Sequence, residues 1–152
     1  MANRKPMLDE LFSREGVLCE TPEETTHLGE EISVLIEPGT VISLEGPLGA
    51  GKTQLTKGVA AALGCAEEPS SPGFTVMHEY GGGRLPLHHF DFYRLKGADE
   101  LYGAGFDDCL GDGGIVVEWG DKFPDALPEG TIRLSFEMLP KGGRRIRGLR
   151  AS

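Results

Sequence analysis

Val41-Ile-Ser-Leu-Glu-Gly-Pro-Leu-Gly-Ala-Gly-Lys-Thr53 is the stretch on which the reading of the whole chain turns. Gly46, Gly51, Lys52 and Thr53 fill the fixed places of G-x-x-x-x-G-K-[ST], the loop that cradles nucleotide phosphates. The flanks supply the context that the motif needs. Val41, Ile42 and Leu44 form an apolar run suited to a buried strand. Leu55, Val59, Ala62 and Leu63 then recur at helical spacing until Gly64. Strand, glycine loop and helix follow in the order that phosphate binding requires.

The physics of such a loop assigns roles. Gly46, Gly49 and Gly51 let the backbone turn tightly and present its N–H groups to phosphate oxygens, and the helix behind them directs its positive end at the same charge. Pro47, Leu48 and Ala50 complete the loop, and Gln54 follows it on the first helical turn. Lys52 is expected on the β- and γ-phosphates, and the Thr53 hydroxyl on Mg2+.

Bulk properties bound the class. At 152 residues there is room for one domain with a hydrophobic core, so a single domain over 1–152 is expected, with 1–15 as an extension or a loose first helical turn. The net charge of −9 argues against a free-standing nucleic-acid binder, which neutralises phosphates with a basic surface. Residues 1–16 lack the apolar centre of a signal peptide and no apolar run reaches membrane-spanning length, which points to the cytoplasm. Cys19, Cys65 and Cys109 are widely spaced and read as free thiols.

Upstream of the loop, Val17–Cys19 reads as a short strand. Thr21-Pro-Glu-Glu24 offers a helix cap, a first-turn proline and a capping-box acid, and the helix is expected to run to about Ile36. Downstream, Phe74–Tyr80 and Leu85–Tyr93, joined across Gly81-Gly-Gly83, read as a hairpin. Alternation sets His89 and Asp91 on one face, with His88, Phe90 and Phe92 on the other. Asp99–Leu110 reads as one or two short helices, and Gly113–Trp119 as a buried strand ending in a carboxylate. Thr131–Phe136 and Arg144–Arg147 read as a terminal hairpin. The expected architecture is α/β, a P-loop NTPase-like three-layer fold with a mixed, mostly parallel sheet and antiparallel hairpins.

Ligands of open α/β sheets gather outside the carboxyl ends of strands, which makes Asp91 and Glu118 the acids expected to hold the metal or orient the attacking water. His88 and His89 point to opposite faces, so packed or hydrogen-bonded roles fit them better than shared metal ligation. Trp119 reads equally as a stacking surface for nucleotide or partner and as core filling. The segment 141–150 carries five cations and no acid, which suits RNA, an acidic partner or a charge-protected sheet edge.

Several segments together resemble the TsaE (YjeE) family: Gly46–Thr53, Ser71-Pro-Gly-Phe-Thr75 with Glu79-Tyr80, His89-Phe-Asp-Phe-Tyr-Arg-Leu95, and Val116-Val-Glu-Trp119. That resemblance implies an ATP-hydrolysing protein of tRNA threonylcarbamoyladenosine biosynthesis that works with TsaB and TsaD and reaches tRNA through that complex. It implies ATP and Mg2+ as cofactors. Lys52 and Thr53 would lie on phosphate and metal, Asp91 and Glu118 would carry metal and hydrolysis chemistry, and Trp119 would face nucleotide or partner. Gly73 departs from the family pattern, where a threonine is usual, with Ser70, Ser71 and Thr75 supplying hydroxyls nearby. From the residues alone, a small-molecule P-loop kinase and a nucleotide-gated binding module also remain open.

Overall fold

The computed structural model describes residues 7–47, 49–66, 77–93, 95–103 and 105–150. Leu48, the 67–76 segment with its Ser71–Thr75 motif, and Arg94 therefore lie outside the described residues.

The elements follow the sequence closely. They are α1 (Met7–Leu11), β1 (Val17–Cys19), α2 (Pro22–Ile32), β2 (Val41–Glu45), α3 (Lys52–Leu63), β3 (Met77–Tyr80) and β4 (Leu87–Asp91). Then come α4 (Ala98–Gly103), α5 (Phe106–Cys109), β5 (Gly114–Glu118), β6 (Ile132–Met138) and β7 (Arg144–Arg150). Thr21 caps α2 by accepting from the Glu24 N–H at 3.2 Å. Glu24 returns a bond to the Glu20 N–H at 2.7 Å, one residue before the position a capping box would use. The helical stretch reaches Leu35 only by tightening into a 3-10 turn over Ser33–Leu35, and Ile36 is already extended before Pro38.

All seven strands join one sheet in the order β1-β7-β6-β2-β5-β4-β3. Strands β6, β2, β5 and β4 are mutually parallel, while β7 and β3 run antiparallel to their neighbours. Strand β1 is antiparallel to β7 and so shares the direction of the parallel set. The expected mixed, mostly parallel sheet with antiparallel hairpins is what forms. The opening strand and the phosphate-loop strand are separated by β7 and β6, so the C-terminal hairpin is inserted between them.

Alternate strand residues feed two cores. Ile42, Leu44, Val116, Leu87, Leu134 and Ile146 face α2 and α3, whose Leu28, Ile32, Leu55 and Val59 are fully buried. Val41, Ile115, Val117, Phe90 and Phe92 face the other way, onto Leu101, Phe106 and Cys109 of α4 and α5. This is the three-layer arrangement. Within the 1–15 segment, Met7–Leu11 forms a short helix, and Met7 and Leu11 are buried in the first core.

Two glycines bring α2 and α3 together. A Cβ on Gly58 would stand 1.9 Å from the Thr26 carbonyl oxygen, and one on Gly29 would stand 2.1 Å from that of Leu55. Both obstacles are backbone, so no rotamer change relieves them. Gly58→Ala should therefore force the helices apart at a cost of about 2–3 kcal/mol, despite alanine's better helix propensity. Thermal unfolding checks this, with a midpoint lower by roughly 5–10 °C expected.

Candidate functional site

The parallel register places the ends of three strands side by side. Leu44 on β2 pairs with Glu118 on β5, which pairs with Asp91 on β4. The glycine loop leaves β2 directly after Glu45, so it opens beside Glu118, with Asp91 one strand farther away. Glu45 is itself fixed by a two-pronged pair with Arg133 on β6, at 2.6 and 2.8 Å, which braces the strand end from which the loop departs.

Gly46, Gly49 and Gly51 have φ of 152°, 81° and 101°, the region that favours glycine. The Ala50 N–H closes the turn onto the Pro47 carbonyl at 3.3 Å, and Ala50 is fully buried beneath it. Gly51 caps α3, whose first residue is Lys52. The Lys52 ammonium, 4% exposed as a residue, donates to the Gly46 carbonyl at 2.9 Å and lies 4.6 Å from the centre of the Trp119 ring. Both contacts hold the cation at the mouth of the loop. Gln54 turns toward α2, accepting from the Thr26 hydroxyl at 3.2 Å.

Trp119 follows β5 with φ of 63°, a left-handed backbone at a bulky residue, which typically costs of order 1–3 kcal/mol. That turn directs the ring between Lys52 and Tyr93, whose ring centroid is 4.9 Å away. Trp119 also packs against the second core, which agrees with the core-filling reading.

His89 is hydrogen-bonded, as one of its two expected readings had it, with a partner that the sequence did not disclose. Fully buried, its Nε2 lies 2.7 Å from Glu118 Oε2. It orients the carboxylate that faces the loop. Asp91 accepts from the Tyr93 N–H at 2.9 Å. Burial, with the Glu118 charge adding to it, pushes the Asp91 carboxyl above its ordinary value, against the Tyr93 N–H, His89 and Lys52, which favour its charge.

One cleft of about 490 Å3 gathers Lys52, Thr53, Gln54 and Glu118 with Glu20, Thr21, Pro22 and Thr25 on one wall and Gly143 and Arg144 on another. Arg144 donates to the Gly49 carbonyl at 2.8 Å, clamping the loop from β7. The sequence placed this arginine in a basic tail, and its link to the loop became visible only once β7 was seated next to β1. Asp91 stands beside Glu118, one strand farther from the cleft.

Two measurements follow from this geometry. The chain has a single tryptophan, so its emission reports on Trp119 alone. Nucleotide that draws Lys52 off the ring should change that emission saturably in the wild type and leave it unchanged in Lys52→Ala. The second concerns Asp91. A carboxyl with a raised folded-state pKa holds its proton more tightly in the folded chain. Its ionisation therefore costs stability as pH rises from the unfolded value of 3.8 through the folded one, and the cost is fully present at neutral pH. Asp91→Asn should raise the thermal midpoint at pH 7, with the difference vanishing at acid pH below the unfolded value, where the carboxyl is protonated in both states.

Comparison with known proteins identifies the family. The family model described as "Threonylcarbamoyl adenosine biosynthesis protein TsaE" matches residues 19–146. A relative from Treponema pallidum (strain Nichols), named tRNA threonylcarbamoyladenosine biosynthesis protein TsaE, is 41% identical over 125 residues, covering 82% of this chain and 92% of its own. One of the same name from Bacillus subtilis (strain 168) is 41% identical over 126 residues, covering 82% and 78%. The crystal structure of Bacillus subtilis YdiB superposes with a TM-score of 0.72 at 34% identity, covering 90% of this chain and 84% of that one. With a family model spanning most of its length and relatives at this identity, the chain belongs to the TsaE family.

Proposed function

We propose that this protein binds and hydrolyses ATP with Mg2+ in tRNA threonylcarbamoyladenosine biosynthesis, acting with TsaB and TsaD. The observation that carries the nucleotide reading is the convergence, in one cleft, of the glycine loop, the buried Lys52 and the Glu118 carboxylate. Family membership carries the pathway and, through it, the partners.

The residues fit the cofactors. Backbone N–H groups of the glycine loop and the start of α3 suit phosphate oxygens. Lys52 already sits at the loop mouth on a carbonyl that phosphate oxygens would replace. The Thr53 hydroxyl, Glu118 and Asp91 form an all-oxygen donor set suited to Mg2+. Bound there, the ion would neutralise charge on the transferring phosphoryl group. His89 holds Glu118 in place, and Asp91 or Glu118 would orient the attacking water. The cleft walls at Glu20–Pro22 and Gly143–Arg144 leave space for the nucleoside. No helix among the described residues is long and apolar enough to cross a membrane, in keeping with work on tRNA in the cytoplasm.

Turnover should be slow in the isolated protein. Phosphoryl transfer gains about a thousandfold or more from an arginine aimed at the transition state. The described arginine nearest the loop, Arg144, is engaged with the Gly49 carbonyl. Steady phosphate release should therefore rise when TsaB and TsaD are added. Lys52→Ala should lose at least about tenfold in ATP affinity. Glu118→Gln should lose hydrolysis while retaining nucleotide binding. A basal rate equal to that of the complex at matched salt and Mg2+ would refute completion by partners, and transfer of phosphate to a small acceptor would favour a kinase.

A further inference from the structure

A second cluster of ligating groups lies away from the nucleotide cleft, toward the other end of β4. Glu79, His88 and Asp112 each offer one donor atom, and all of these atoms lie within 4.8 Å of one another. They come from three separate pieces of chain. Glu79 on β3 and His88 on β4 are direct cross-strand partners, which puts their side chains on one face of the hairpin. Asp112 sits in the turn between α5 and β5, over that face. His88 and Asp91 are three residues apart on β4, roughly 10 Å along the strand.

His88 is 3% exposed. Its Nδ1 is buried without a hydrogen-bond partner, so the polar outlet of the ring is Nε2, which faces Asp112 Oδ2 at 3.3 Å. The turn that carries Asp112 is closely fixed. Its N–H donates to the Cys109 carbonyl at 3.1 Å, and the Gly114 N–H donates to the Pro86 carbonyl at 3.0 Å, just ahead of β4. A Cβ on Gly113 would stand 2.3 Å from the Pro86 oxygen, so the turn approaches the start of β4 as closely as glycine permits. The two carboxylates are thus held near one another and near an imidazole by backbone constraints. Their charges reach the neighbouring Cys109 thiol, which burial, Asp112 and Glu79 together push up. Two carboxylates held close together repel one another, and the same arrangement is favourable around a cation.

We propose that Glu79, His88 and Asp112 form a divalent metal site, of the borderline first-row class typified by Zn2+, that ties the edge hairpin β3–β4 to the α5–β5 turn. One imidazole and two carboxylates make a donor set that Zn2+ accepts, with the remaining position open to water. The all-oxygen set at the nucleotide loop suits Mg2+ instead. The ligands span an edge strand, its neighbour and the opposite layer, so occupancy stabilises the fold by linkage.

The test uses the full chain, stripped with chelator and free of nucleotide, titrated with Zn2+ by calorimetry and with Co2+ by visible absorption. One saturable equivalent is expected, together with a thermal midpoint that rises on adding Zn2+. Asp112→Asn and Glu79→Gln change exposed carboxylates and should fold. Each should weaken uptake at least about tenfold and abolish the Zn2+-dependent rise. Glu118→Gln should retain uptake, which separates this site from the nucleotide cleft. The absence of saturable uptake, wild-type uptake in both carboxylate variants, or loss in Glu118→Gln alone would overturn the assignment.

Discussion

The register of three parallel strands is the constraint on which the site depends. Pairing Leu44 with Glu118 and Glu118 with Asp91 brings the end of the phosphate-loop strand, one acid and a second acid into a single row. Side chains alternate along a strand, so a slip of one residue would turn Glu118 into the opposite layer and bring Val117 forward. Burial enforces the register: Val116 enters the α2–α3 core while Ile115 and Val117 enter the α4–α5 core, and neither set tolerates exchange with a charged side chain. The position of the carboxylates is thus a consequence of apolar packing on both faces of the sheet.

The same packing sets the other half of the cleft. Gly29 and Gly58 let α2 and α3 meet backbone to backbone, which fixes the axis of α3 and with it the start of the helix at Lys52. The Thr26–Gln54 contact runs along the same seam. Because α2 begins at Pro22 under the Thr21 cap, its N-terminal end is carried to the loop and becomes a cleft wall. Helix contact and cleft are one geometric arrangement, so a change deep in the helix seam would reach the glycine loop through rigid backbone.

Much of this was legible in the residues because each signal had a local cause. Gly46–Thr53 with its flanking apolar run announced a strand, a turn and a helix. Gly81–Gly83 announced a hairpin, and Gly103 and Gly105 the break between α4 and α5. The acids at strand ends, Asp91 and Glu118, fell where the topology of open sheets puts ligands. What stayed hidden depended on pairing between distant segments. Arg144 reads as one cation in a basic run until β7 is seated between β1 and β6 and delivers it to Gly49. His89 reads as a packed or hydrogen-bonded histidine without a named partner until parallel pairing of β4 with β5 sets it 2.7 Å from Glu118. The glycines at 29 and 58 look like weaknesses in their helices, because propensity says nothing of what lies across the seam.

The two ends of β4 show how one short strand accommodates different electrostatic demands. At its carboxyl end Asp91 meets Glu118, and burial makes ionisation of Asp91 costly even with Lys52 and His89 favouring the charge. Lys52 is held by a carbonyl and an aromatic ring, neither of which carries a formal charge, so its own charge remains available to an incoming anion. This end is electrostatically incomplete in two senses at once: a half-buried acid whose charged form burial disfavours, and a buried ammonium without a carboxylate partner at contact distance among the described residues. The proposed ligand, a metal-bound polyphosphate, would satisfy both, the metal meeting the acids and the phosphates meeting the ammonium. Such a ligand would restore a balance that the folded chain alone leaves open, concentrating binding energy where phosphate charge would shift during the proposed hydrolysis.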